Sequence, residues 1–109
     1  MKAAVCAVLL AALTMSETDK IEALLGSVER VDGVFVRGEK EMDGHTTAKQ
    51  MRNRWHWQTS SIKTARDFVK VMTSLGGQTY RVRLRDGSEM KAADYLFGEL
   101  DKIEARPRK

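Results

Sequence analysis

Apolar residues recur every three or four positions early in the chain, where Ile21, Leu24, Leu25, Val28 and Val31 fall on one side of a helix. Ser16 with Asp19 can cap that helix, and Asp32-Gly33 ends it. The period then changes. Val34-Phe35-Val36-Arg37 is β-branched and aromatic between glycines and predicts a strand, with a polar loop from Gly38 to Gly44 after it. Thr46 or Thr47 is placed to cap a second helix with Ala48, Met51, Arg52 and Trp55 on one face. Thr64-Ala65-Arg66-Asp67 has capping-box spacing and opens a third helix, with Phe68, Val69, Val71, Met72 and Leu75 as its buried side and Gly76-Gly77 as its stop. Strict alternation follows in Tyr80-Arg81-Val82-Arg83-Leu84-Arg85, putting Tyr80, Val82 and Leu84 on the core side of a strand and three arginines on the other. Asp86-Gly87 turns the chain into a last helix, with Ala93, Leu96, Phe97, Leu100 and Ile103 in register. The pattern predicts an α+β domain of about four helices packed with a two-stranded β-ribbon, in the order α-β-α-α-β-α.

Ahead of that domain the pattern is different. Lys2, the apolar run Ala3 to Leu13 and the small or polar residues after it have the layout of a secretory signal peptide, and the run is too short to span a bilayer. A buried or interfacial N-terminal helix is the competing reading, opposed by the lack of any polar face over residues 3–13. The expected division is a signal peptide over residues 1–16, itself helical, and a single small domain over 17–109, periplasmic or secreted and without a membrane span in its mature form. Cys6, the only cysteine, lies in the signal run, so the mature domain has neither a disulfide nor a thiolate site. Its fold must rest on apolar burial, and 109 residues with 42% apolar and 31% charged side chains suit one globular domain rather than a disordered chain.

Charge is distributed unevenly. Residues 16–48 hold 4 basic and 8 acidic side chains, residues 49–85 hold 9 and 1, and residues 86–109 hold 5 and 6. A basic middle between acidic flanks has two readings: mutual neutralisation in the fold, or a patch facing an anionic partner. The candidate anion-binding residues are Arg81, Arg83 and Arg85 on one strand face, and Arg37, Arg52 and Arg54, whose stems belong near the core edge. Ion pairing with acids of the flanking helices is the plainer account of Arg81, Arg83 and Arg85, and structural pairing with a carboxylate or carbonyl is that of Arg37, Arg52 and Arg54. Trp55 continues an apolar stripe and reads as core, whereas Trp57 lies about 200° further round the helix or just past its end and is the candidate exposed aromatic, with closure of the helix end against the next helix as its plainer reading.

Catalytic motifs do not emerge. Two histidines and no cysteine in the mature chain predict neither a metal site nor a cofactor site. Ser60-Ser61 near His56 forms no nucleophile motif, and the glycines make no phosphate-binding loop.

The run FVRG(x)8TAKQMRNRW, followed by IKTARDFV, YRV and the C-terminal YLFGEL helix, resembles the YfeK-like family of small predicted periplasmic bacterial proteins, a domain of unknown function. Its most specific pieces here are Phe35-x-Arg37, Arg52-x-Arg54 and Ile62-x-Thr64-Ala65-x-x-Phe68. The resemblance implies a small α+β envelope protein and supplies no catalytic residue. Together these readings predict a non-enzymatic binding or accessory protein of the cell envelope that recognises an anionic envelope component or an acidic protein. The alternative is a small periplasmic enzyme with a groove where Arg37, His45, Arg52 and His56 converge. Nucleic acid suits the basic middle but not export.

Overall fold

The computed structural model describes residues 15–74 and 80–105. Its elements run α1 (Glu17–Glu29), β1 (Gly33–Arg37), β2 (Lys40–Asp43), α2 (Gly44–Trp57), α3 (Ala65–Thr73), β3 (Tyr80–Leu84), β4 (Glu89–Lys91) and α4 (Ala92–Ala105). Residues 1–14 of the expected signal peptide, and the Leu75-Gly76-Gly77 end of the third helix, lie outside the described residues.

The domain is α+β with four helices among the described residues, but the expected two-stranded ribbon is a four-stranded antiparallel sheet, in the order β2-β1-β3-β4. The two predicted strands are its centre. Each carries a hairpin partner that local pattern does not reveal, because Lys-Glu-Met-Asp and Glu-Met-Lys each hold one apolar residue among charges. Strand formation there comes from ladder hydrogen bonds to a central strand, which override weak intrinsic preference. Gly38 (φ 62°) and Gly87 (φ 92°) supply the left-handed residue of the two hairpin turns.

One face of the sheet meets the helices. Across it run the paired residues Met42, Phe35, Val82 and Met90, with Phe35 and Val82 fully buried at the centre and Met90 emerging at the edge. Ile21, Leu24, Leu25 and Val28 of α1 are buried against them together with Phe68, Val69 and Met72 of α3 and Leu96, Leu100 and Ile103 of α4. The helical periodicities thus point at the core as expected, with Val31, Trp55, Val71, Leu84, Ala93 and Phe97 packed half-buried at its margin. Ile62, in the segment joining α2 to α3, joins this core.

Two caps are as the spacing predicts: the Ser16 hydroxyl accepts from the Asp19 amide at 3.0 Å, and Thr64 with Asp67 forms a reciprocal capping box. The α2 cap is Asp43 instead of Thr46 or Thr47; its carboxylate accepts from the Thr46 amide at 2.7 Å. Because β2 runs directly into α2, the last strand residue is also the cap, and aspartate serves there as well as threonine. Long-range polar ties close the helical layer. Glu17 accepts from the Ala65 amide at 2.8 Å, and Lys20 bridges Glu17 (3.1 Å) and Glu104 (3.0 Å), joining α1, the start of α3 and the end of α4.

Candidate functional site

The arginine stripe of β3 lies on the sheet face away from the helices, as alternation requires, but its guanidiniums are not free. Arg81 donates to Glu89 at 3.0 Å; Arg83 reaches Glu89 at 2.9 Å and Glu41 at 2.6 Å; Arg85 sits 2.9 Å from Asp32. Glu89 and Glu41 stand on β4 and β2, the strands that the sequence pattern hides, so the acids that pair with Arg81 and Arg83 come from the sheet and not from the flanking helices as expected. Arg83 and then Arg81 hold the Glu89 carboxyl below its ordinary range, and Glu89 with Glu41 raises the Arg83 guanidinium. Arg52 is paired too, with both oxygens of Glu22 at 2.6 and 2.9 Å. Acidic flanks and basic middle therefore meet largely as ion pairs.

Arg37 and Arg54 behave differently. Among the described residues neither has a carboxylate within ion-pairing distance. Both line a groove of about 630 Å³ between the β1–β3 end of the sheet and α2, together with Thr47, Gln50, Met51, Asn53, Trp57, Gln58 and Tyr80. Arg37 is in phase with Phe35 on β1 and directly opposite Tyr80 on β3. Its guanidinium donates to the Tyr80 hydroxyl at 3.1 Å and lies 5.5 Å from the ring centroid, which fixes one cation at the groove wall.

The other wall is a helix stripe. Positions 47, 50, 54, 57 and 58 follow one another at three- and four-residue steps or side by side, so their side chains share one face of α2. Arg54 also lies in the last turn, where its charge complements the helix dipole. Trp57 is 77% exposed, so it faces outward and does not close the helix end against the next helix, the plainer of its two readings. Trp55 instead packs edge-on against buried Phe68, with ring centroids 6.0 Å apart. Gln58 ends the helix through its backbone amide, which donates to the carbonyls of Arg54 and Trp55. Its side-chain Oε1 is buried without a hydrogen-bond partner, the one such side-chain atom among the described residues.

The four residues of the enzymatic alternative do not converge. Arg37 lines the groove, while Arg52, two residues before Arg54 and hence about 200° round the helix from it, faces α1. His45 also faces α1, 3.8 Å from Glu29, and both it and His56 are absent from the groove lining. No group of three or more His, Cys, Asp or Glu among the described residues could hold a metal ion, and no helix there is long and apolar enough to cross a membrane.

Sequence reasoning picked out Arg37, Arg54 and Trp57 but missed Thr47, Gln50, Asn53, Gln58 and Tyr80. The signal available for them was the polar stripe at helical spacing beside the apolar one. Tyr80 was visible only as a core residue, since nothing in the sequence aligns it with Arg37.

A model of the Family of unknown function (DUF5329) matches residues 15–104, nearly the whole of the described domain, and the chain belongs to that family. No curated protein and no solved structure matches the chain.

Proposed function

For this member of a family of unknown function, we propose a non-enzymatic binding role in which the groove between Arg37 and Arg54 recognises an anionic group of an envelope component. One observation carries the reading: these two arginines line a groove without a carboxylate partner among the described residues, whereas Arg52, Arg81, Arg83 and Arg85 each have one. A guanidinium supplies a planar fork of donors that suits carboxylate or phosphate, and two of them in one recess make a site for such a group. The likeness of Phe35-x-Arg37, Arg52-x-Arg54 and Ile62-x-Thr64-Ala65-x-x-Phe68 to the YfeK-like periplasmic proteins supports action in the bacterial envelope, as does the signal-peptide layout of residues 1–16.

Exposed Trp57 provides the assay. Its fluorescence is titrated with citrate, inorganic phosphate and phosphatidylglycerol vesicles at low salt. The double change Arg37→Gln with Arg54→Gln should weaken binding by at least about tenfold, since one charge-assisted hydrogen bond is worth about 1.5 to 3 kcal/mol. The triple change Arg81→Gln, Arg83→Gln and Arg85→Gln should leave binding close to the parent's. Loss of binding in the triple but not the double variant would move the site to the sheet face, and no binding by the parent would end the proposal.

A further inference from the structure

Three features of the groove are not needed to hold a simple anion. Trp57 offers an indole to solvent at the groove, where burying it in the core would have been more favourable for folding. Gln50, Asn53 and Gln58 contribute three carboxamides, each both donor and acceptor. Gln58 Oε1 is a buried acceptor with no donor, a cost to the free protein that a bound donor would remove.

Each feature constrains the ligand. The two guanidiniums are donors only and call for anionic oxygens. The Gln58 oxygen is an acceptor only and calls for an O–H or N–H group on the same ligand. The carboxamides suit hydroxyl groups, which also donate and accept. The indole suits a flat apolar face, such as the C–H side of a pyranose ring, rather than an alkyl tail, because Met51 is the only aliphatic side chain among the described residues that line the groove. Inorganic phosphate supplies anionic oxygens and a P–OH donor but no flat apolar face for the indole, which a sugar acid supplies together with both.

Resting on the anion-binding reading above, we infer that the groove takes an acidic saccharide: a pyranose stacked on Trp57, its carboxylate between Arg37 and Arg54 and a hydroxyl donating to Gln58 Oε1 once that carboxamide turns out of its buried position. The groove volume of about 630 Å³ is enough for one or two sugar rings.

The test is calorimetric titration with digalacturonate, cellobiose, citrate and adenosine monophosphate. Digalacturonate should bind at least about tenfold more tightly than cellobiose, which lacks the charge, and than citrate, which lacks the ring. Trp57→Ala should weaken digalacturonate by about tenfold, the worth of one stacked aromatic, and leave citrate unchanged. Gln58→Met keeps the side-chain shape and removes the stranded oxygen. It should leave the melting temperature of the free protein equal or higher while weakening digalacturonate alone. If citrate binds as tightly as digalacturonate and neither variant matters, the saccharide inference falls while the anion reading stands. Tightest binding of the nucleotide, with dependence on Trp57, replaces the saccharide by a base and phosphate. If no probe binds, both readings fall.

Discussion

Replacing Gly44 by alanine should destabilise the protein, although alanine is the better helix former. Gly44 is the first residue of α2 and is buried where the end of α1 passes beneath it. A Cβ built there lies 2.1 Å from the Val28 carbonyl oxygen, 2.8 Å from Val31 Cγ1 and 3.2 Å from the Glu29 carbonyl oxygen. Two of these three neighbours are backbone, so no rotamer change relieves the clash; the two chain segments must part by roughly 1.5 Å to restore ordinary contact. Overpacking of this kind costs about 1 to 3 kcal/mol, and rigid backbone on both sides places Gly44 at the upper end. The opposing gain in helix propensity is about 1 kcal/mol at most. Overpacking wins, with a net loss of roughly 2 kcal/mol. Gly98 of α4 is the matched control, because a Cβ there meets nothing within 4 Å. Gly98→Ala should therefore stabilise by about 0.5 to 1 kcal/mol. Urea unfolding of both variants against the parent, with unchanged slopes, reads the two signs directly. A Gly44→Ala variant as stable as the parent would refute the close approach of α1 and α2. Because α2 carries Arg54, the same variant should also bind citrate more weakly.

The two tryptophans should separate in the same experiment: Trp55→Ala, which removes the edge contact on Phe68 and half-buried surface, should cost about 2 to 3 kcal/mol, and Trp57→Ala less than about 0.5. Equal losses would mean that the helix face is misassigned. Stability should fall in acid. The Ala65 amide first, and Lys20 after it, hold the Glu17 carboxyl below its ordinary value of 4.5, so its contribution is complete above that pH and is lost as pH falls through the lower folded value. Glu17→Gln should therefore shrink the difference between urea midpoints at pH 7 and pH 3, and an undiminished difference would remove Glu17 from the account. Export predicts that native protein recovered from the periplasm lacks residues 1 to about 16; mass spectrometry finding intact Met1 to Ser16 on cytosolic protein would overturn it.

What the amino-acid sequence determined by itself is the set of elements whose signal is local. Helical spacing in α1, α3 and α4, the Thr64–Asp67 capping box and the alternation of β3 are each complete within a dozen residues, and each reappears in the fold. That Trp57 lies off the Trp55 face follows from the same geometry, since two steps of about 100° separate them whatever surrounds the helix; that it stays exposed was decided by the packing. Tertiary structure decided everything that depends on pairing. Lys40–Asp43 and Glu89–Lys91 become strands only because β1 and β3 offer them a ladder, and with them come Glu41 and Glu89, the acids that neutralise the arginine stripe. The groove was hidden for the same reason. Arg37 and Tyr80 are 43 residues apart and meet across two strands, and Arg54 joins them only when α2 packs beside the sheet. A guanidinium reads alike in sequence whether paired or free; its partner is set by contacts between distant segments, which local periodicity does not encode.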